Sequence, residues 1–428
     1  MFGPWSPPEG MSRRHFLNHL ATTSIALPAM HLVGALNANA DSVKKTSKSC
    51  ILLWMGGGPS HMDTWDLKPE SEKNGGPFKQ ISTSAPGLRI SEHLPTVAKQ
   101  MKHLSIVRSL NSKEGNHDRG TYVMHTGYTP NPTVVHPSFG SVCSYELGSK
   151  LGDLDLPHIM AINSPGQGAG FLGMAHAPFV INNPTAKIAN LNPPDSINEA
   201  RMQSRLSMLS MVENNFAGSR RGQAPTDHKA VYNKTVRMMS SKYTDAFKLD
   251  KIDAKVRDRY GKGSFGQGCL MALELVKRGV TFVEVSLGGW DTHNNAFETL
   301  SNRLLPELDK GMGALVEDLA RTGLIEKTMV VWMGEFGRTP RINQNAGRDH
   351  WPRSWSIVMG GAGLKGGQAI GATDKDGVEI TDQPVEIMDV IATMTKGMSI
   401  PLETQYTTPL GRPYRLVDEG FKPIPQLF

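Results

Sequence analysis

Asp291 and His293 stand two residues apart in the stretch Gly288-Gly289-Trp290-Asp291-Thr292-His293. In an extended loop such a spacing points both side chains to one side. One carboxylate and one imidazole leaving the chain together make a common half-site for a divalent ion. Three other stretches carry donors of the same kind. His61, Asp63 and Asp66 follow Gly56-Gly57-Gly58, Glu335 follows Val330-Val331-Trp332-Met333, and Asp349 and His350 follow an irregular loop. Together, Asp63, Asp291, His293, Glu335 and His350 would hold one or two divalent ions. His61, Asp66 and Asp349 would be further ligands or would steady the others. A cluster of this type lowers the pKa of bound water or holds an anionic ester. Zinc or manganese suits the mixture of imidazole and carboxylate; calcium prefers oxygen ligands, and calcium and magnesium stay open. Every donor also has a structural use. Asp291 could cap a helix near Phe297, Glu335 could pair with Arg338 or Arg341, and the histidines could be ordinary loop residues.

Strands must deliver these residues to one place. Ser49–Met55, Leu104–Val107, Pro157–Ile162, Val280–Leu287, Met329–Met333 and Ser354–Met359 read as short apolar strands. Helical patterns lie between them, one following Gly115–Gly120 and ending at about His125, the others at about Pro137–Leu147, Gly266–Arg278, Phe297–Arg321 and Pro384–Thr395. Alternation of this sort predicts an α/β protein with a mostly parallel central sheet flanked by helices. In such a sheet the strand exits converge on one crevice. Residues from about 196 to 260 are polar, dotted with methionine and helical in pattern, and read as an insertion in a single domain spanning 41–428. The glycine-rich run from Ser164 to Gly170 could cradle a phosphate or be a plain surface loop; it lacks the pattern of a nucleotide loop.

Composition narrows the partners. The 428 residues carry a formal net charge of +6 with the basic residues scattered, which excludes a nucleic-acid tract. Cys50, Cys143 and Cys269 lack metal-type spacing and allow at most one disulfide. Residues 1–40 read as an export signal: Arg13-Arg14 precedes Phe16-Leu17, a weakly apolar stretch runs from Ala21 to Leu36, and Ala38-Asn39-Ala40 fits a cleavage site before Asp41. The paired arginines resemble a twin-arginine signal, which implies the matching export machinery and a periplasmic or otherwise exported location. Pro28 and His31 leave the stretch too short and polar for a stable membrane span. Met1 to Gly10 has no role in such a signal, which makes Met11 the alternative start.

The runs Gly57-Gly58-Pro59-Ser60-His61-Met62-Asp63-Thr64-Trp65-Asp66, Gly289-Trp290-Asp291-Thr292-His293, Glu335-Phe336-Gly337-Arg338-Thr339-Pro340 and Gly347-Arg348-Asp349-His350-Trp351 carry a resemblance over nearly the whole mature chain. The chain resembles the bacterial family named domain of unknown function 1501 (DUF1501), which is similar to sulfatases and alkaline phosphatases. The resemblance implies an alkaline-phosphatase-like fold with metal ligands at the strand exits. In its terms Asp63 looks like the first-strand aspartate, Asp291 and His293 like the middle Asp-His pair, and His350 like the late histidine. Glu335 stands where the usual signature has aspartate, and Phe336 stands where it has histidine, so one ligand is lost. Nine residues before Thr126-Gly127, where sulfatases carry their modified Cys or Ser, this chain has His117. The resemblance makes His117 the catalytic candidate, as metal ligand, general base or phosphoryl acceptor. It cannot become formylglycine; Ser60 and Thr64 are the substitutes. Arg338 or Arg348 could pair with a substrate oxyanion, and Ser60 and Asn116 complete the expected substrate contacts. The resulting expectation is an exported metal-dependent hydrolase of a phosphate or sulfate ester, small or glycan-borne. The alternatives are a non-catalytic protein binding a sulfated glycan or a surface partner, and a metal-dependent mutase.

Overall fold

The computed structural model describes residues 48–148, 154–188, 191, 196–219, 224–239 and 241–428. The expected export segment, 1–40, lies outside the described residues. Strand β1 (Ser49–Trp54) is buried at all six positions. Such a run, apolar at nearly every position, requires cover on both faces. It sits in the middle of a nine-stranded sheet. The other strands used below are β2 (Leu104–Asn111), β3 (Ile159–Ile162), β4 (Phe179–Ile181), β5 (Phe282–Ser286), β6 (Thr328–Met333), β9 (Trp355–Gly360), β10 (Ala369–Ile370) and β11 (Val385–Glu386). A small hairpin of β7 (Gly337–Arg338) and β8 (His350–Trp351) stands outside the sheet. The order across the sheet is β10-β2-β9-β6-β1-β5-β3-β4, and β11 pairs with β2.

Side-chain alternation divides the core in two. Ile51, Leu53 and Met55 face one layer with Leu308, Met312 and Leu315; Cys50 and Leu52 face the other with Val123, Val142 and Ile391. The first layer is built on helices Ser264–Lys277 and Leu305–Arg321, the second on His117–Thr126, Phe139–Gly148 and Ile387–Gly397. Each fully buried Leu or Ile stabilises the fold by roughly 1.5–3 kcal/mol. The three cysteines are free and buried. Residues 199–219 and 224–239 form two helices.

The sheet is mostly parallel, with one exception. Strand β9 runs antiparallel to both β6 and β2. A parallel return needs a crossover of a dozen or more residues, usually a helix. Residues 334–354 hold only the β7-β8 hairpin and loops. Strand β2 extends past Val107 to Asn111 because its end pairs with β11, Leu110 opposite Val385 and Asn111 opposite Glu386. The helix after β5 is also altered. It runs from Ala296 to Arg321 but opens into a π turn over Leu300–Leu304. Pro306 lacks an N–H and its ring clashes with the carbonyl four residues earlier, which accounts for the widened turn.

Register sets the height of the exits. Trp54 lies opposite Ser286 on one side and opposite Met333 on the other. The loops after β1, β5 and β6 therefore start at one level. One buried polar pair braces this layer. The His125 imidazole lies 3.3 Å from the Glu284 carboxylate on β5, and its Nδ1 donates to the Thr121 carbonyl at 2.8 Å. Burial alone would lower the His125 pKa, but the Glu284 charge and hydrogen bond outweigh it and raise it.

A raised folded pKa contributes stability below the unfolded value of about 6.5 and loses it as pH rises through the folded value. Removing the carboxylate with Glu284→Gln should cost roughly 3–5 kcal/mol at pH 6, because a buried cation loses its partner. Thermal melts from pH 6 to 9 should show the gap between wild type and variant narrowing as pH rises. A gap that stays constant would mean that His125 is neutral throughout.

Candidate functional site

Four side chains from three elements meet above β1. Asp291 and His293 come from the loop after β5, His350 from β8, and His117 from the first position of helix His117–Thr126. The shared point is Asp291 Oδ1. His293 Nε2 lies 3.0 Å from it, His350 Nε2 3.2 Å and His117 Nε2 3.4 Å. The Nε2 atoms of His293 and His350 are 3.1 Å apart.

The other ring nitrogens decide what this arrangement can do. His117 Nδ1 donates to Glu335 Oε1 at 2.7 Å, His293 Nδ1 to Asp349 Oδ1 at 2.7 Å, and His350 Nδ1 to the Gly115 carbonyl at 2.8 Å. All three partners are pure acceptors, so each imidazole carries its proton on Nδ1. The three Nε2 atoms then present lone pairs, and these converge with a carboxylate oxygen. His117 Nε2 is buried and has no hydrogen-bond partner among the described residues. Converging lone pairs repel unless a cation lies among them. This is also the pattern of metal-binding histidines, whose far nitrogen is held by a carboxylate or carbonyl. The residues present therefore make a possible His/Asp metal site: donor atoms of His117, Asp291 and His350 all lie within 4.8 Å of one another, and His293 adjoins this group through Asp291 and His350. Side-chain exposure runs from 27% at His350 to 47% at Asp291, so the cluster lies at the protein surface although His117 Nε2 itself is covered.

Local sequence explains the placement. Asn116 caps the helix that begins at His117 by accepting the Arg119 N–H at 3.2 Å. His350 and Arg338 are directly paired across the β7-β8 hairpin. Paired residues share a face, and both side chains reach Asp291 Oδ1, the guanidinium at 2.5 Å. Gly57 has φ +115°, and a Cβ there would lie 2.4 Å from the Asp291 nitrogen. Only glycine lets the β1 and β5 exits touch in this way. The Gly57 N–H also donates to Glu335 Oε1 at 2.8 Å. Burial raises the Asp291 pKa, but the Arg338 hydrogen bond and charge outweigh this and hold it at about 2.

Several expected site residues stand elsewhere. Asp63 is fully buried and its two oxygens accept from Arg348 at 2.8 and 3.0 Å, which leaves it outside the donor cluster. Glu335 does not join the converging atoms; it holds His117 from behind. Asp349 does the same for His293. His61 is buried against the Gly377 carbonyl at 3.0 Å, and Asp66 is held by Lys68, Arg108 and Thr373. Neither Arg338 nor Arg348 faces the solvent as an oxyanion partner would. Both are fully buried, because each guanidinium is saturated by a carboxylate and backbone carbonyls: Gly57, Gly58 and Arg348 for Arg338, and Asn74, Thr339 and Pro340 for Arg348. Asn116 is a cap, and Ser60 is buried with no partner for its hydroxyl among the described residues. Phe336 is fully buried, its ring packed against His117 at 5.0 Å and His350 at 4.6 Å between centroids. Two functional elements had no side-chain signal: the Gly115 carbonyl, which is backbone, and the bridging role of Arg338. The hairpin pairing of Arg338 with His350 would have been needed to find the second.

Residues 47–428 match the model of a family described as "Protein of unknown function (DUF1501)". No curated protein matches the chain. Similar solved structures include the PsFucS1 sulfatase from Pseudoalteromonas sp., at 12% identity over 85% of this chain and 71% of that one with a TM-score of 0.35. The phosphonate monoester hydrolase SpPMH from Silicibacter pomeroyi aligns at 11% identity over 83% and 74%, with a TM-score of 0.33. A mutant of TAB5 alkaline phosphatase with bound Mg aligns at 13% identity over 74% and 91%, with a TM-score of 0.31.

Breaking the Asp63–Arg348 pair with Arg348→Met should lower the unfolding free energy by roughly 3–5 kcal/mol, because a buried carboxylate is left unpaired. The exposed Arg341→Met should change it by less than about 0.5 kcal/mol. Denaturant titration of both variants checks this; similar midpoints for the two would show that the buried pair is not a structural anchor.

Proposed function

The chain belongs to the DUF1501 family, whose description records no activity, so its chemistry has to be read from its own site, and we propose that it is a metal-dependent hydrolase of an anionic ester, phosphate or sulfate. The observation that carries this reading is the convergence of three Nε2 lone pairs on Asp291 Oδ1, each imidazole fixed at Nδ1 by its own acceptor. Asp291, His117, His293 and His350 would hold one divalent ion. Zinc suits three imidazoles and a carboxylate, with manganese next. Such an ion supplies positive charge to the ester oxygens and activates water.

The protein's own groups set the conditions for that chemistry. Arg338 keeps Asp291 ionised and aimed. Glu335 and Asp349 fix the tautomer and orientation of two imidazoles. His117 presents a bare Nε2, so in this tautomer it accepts a cation or a proton and donates neither. It remains the catalytic candidate, since it also begins a helix whose free N–H groups favour an anion nearby. The partial exposure of all four side chains leaves room for an ester beside them. Export by the twin-arginine route to the periplasm belongs to the same proposal and rests on residues 12–40 of the sequence.

A second reading has its own observation. Four protein donors are the number that closes a structural zinc site, whereas catalytic sites usually keep a position open. The same cluster could therefore brace a non-catalytic crevice that binds an anionic glycan.

Elemental analysis of the purified protein should find about one zinc or manganese per chain, and His293→Ala should reduce it to a trace. Glu335→Gln should keep the fold and weaken metal affinity roughly 10–100-fold. Full metal content in His293→Ala would remove the site. Metal that is present and tight, with no release of phosphate or sulfate from any ester, would favour the binding reading. N-terminal sequencing of the exported protein should read Asp41 first.

A further inference from the structure

An anionic substrate needs a cation, and the arginines that hold the donor loops or sit in the first turn of the His117 helix are already engaged. Arg338 and Arg348 are buried and saturated, and Arg119 is held by both oxygens of Glu114 at 2.8 and 2.7 Å. Arg303 differs. It is exposed and forms no ion pair among the described residues. The carboxylate four residues on, Glu307, is turned away and accepts the Phe265 N–H at 3.2 Å.

Chain geometry places Arg303 beside the turn that leads into the cluster. It lies in the π turn of the helix that starts directly after the Asp291-His293 loop. Helical side chains lean toward the N-terminus of their helix, here the end at the strand exits. The Arg303 guanidinium accordingly reaches back over the Gly288-Gly289 turn. A Cβ on Gly289 would lie 2.6 Å from its Nη2, and Gly289 has φ +96°. A side chain at 289 would displace the guanidinium, so glycine here serves the cation as well as the turn. Gly288 and Gly289 are exposed, and an added Cβ at Gly288 would meet nothing within 4 Å. The turn that the guanidinium covers is thus exposed, as Arg303 itself is. Gly289 is two residues from Asp291, which puts Nη2 within about 11 Å of the Asp291 Cα. It is nonetheless beyond the 4.0 Å at which it would pair with the Asp291 carboxylate. π turns of this kind occur often at functional positions.

We infer that Arg303 is a specificity-determining residue that binds a second anionic group of the substrate, separate from the ester that reaches Asp291 and the three histidines. The inference rests on the anionic-ester reading and narrows it: the substrate carries at least two negative groups a short linker or one sugar unit apart. Arg303 supplies a charge-assisted hydrogen bond to the distant group and contacts none of the reacting atoms. It should therefore act on binding and leave the chemical step unchanged.

Two inert ligands that differ by one charged group test this: propylphosphonate and propane-1,3-bisphosphonate, titrated calorimetrically into the metal-loaded protein. Wild type should bind the bisphosphonate about ten-fold more tightly than the monophosphonate, the size of one hydrogen bond to a charged group. Arg303→Ala should abolish that preference, Arg303→Lys should keep part of it, and metal content should be the same in all three. The inference is overturned by a wild type with no preference, by a preference that survives in Arg303→Ala, or by an equal loss for both ligands. A protein that binds the bisphosphonate through Arg303 yet hydrolyses no ester keeps this inference and refutes the hydrolase reading.

Discussion

A guanidinium with no exposed surface holds this site together. Arg338 donates to Asp291, to the carbonyls of Gly57 and Gly58 after β1, and to the Arg348 carbonyl beside Asp349 and His350. It thus fastens three chain segments that no regular secondary structure joins. A buried cation is costly unless its donors are satisfied. Here every partner is an oxygen supplied by the loops that must be brought together, so the cost of leaving any loop out of place falls on the cation. Arg348 repeats the device with Asp63, Asn74, Thr339 and Pro340. Arg338 thus contacts the donor cluster directly through Asp291, and Arg348 anchors the neighbouring loops behind it.

That anchoring explains why the cluster can hold an unfavourable arrangement. Three imidazole lone pairs gathered within 3.0–3.4 Å of one carboxylate oxygen would spread apart on free loops. Each is pinned from the far side instead: His117 by Glu335, His293 by Asp349, His350 by the Gly115 carbonyl and Asp291 by Arg338. Glu335 is itself held by the Gly57 N–H. The carboxylates divide into two roles by position. Asp291 reaches the shared point, whereas Glu335 and Asp349 act through a histidine. Phe336 fits the same scheme. A histidine there would add a donor; the phenyl ring gives His117 and His350 a flat apolar surface to pack on.

Much of the fold was legible from local pattern. The apolar runs of β1, β5 and β6 and the helical stretches between them predict a mostly parallel sheet, and it is present. The antiparallel β9 was not legible as such, since its direction depends on what fills residues 334–354. The π turn at Leu300–Leu304 was only hinted at by Pro306. For the site, residue type and spacing identified Asp291, His293 and His350 as neighbours in chemistry, and the family resemblance added His117. The same reasoning put Asp63, Arg338 and Arg348 in the wrong surroundings. An aspartate at a strand exit has the same composition whether it faces an ion or a buried arginine, and an arginine after a glycine reads alike exposed or enclosed.

The sequence by itself determined the family, the α/β class and the supply of imidazoles and carboxylates at the strand exits. Those follow from local chemistry: apolar periodicity, glycine at turns, polar residues where a buried strand ends. Only the tertiary structure decided which carboxylate meets the three imidazoles, which ones stand behind them, and which arginines are closed off while Arg303 stays exposed. The physical reason is distance. These choices depend on pairings between residues far apart in the chain, such as His117 with Glu335 and Asp63 with Arg348. Sheet register and hairpin pairing fix them, and no short stretch of sequence records either.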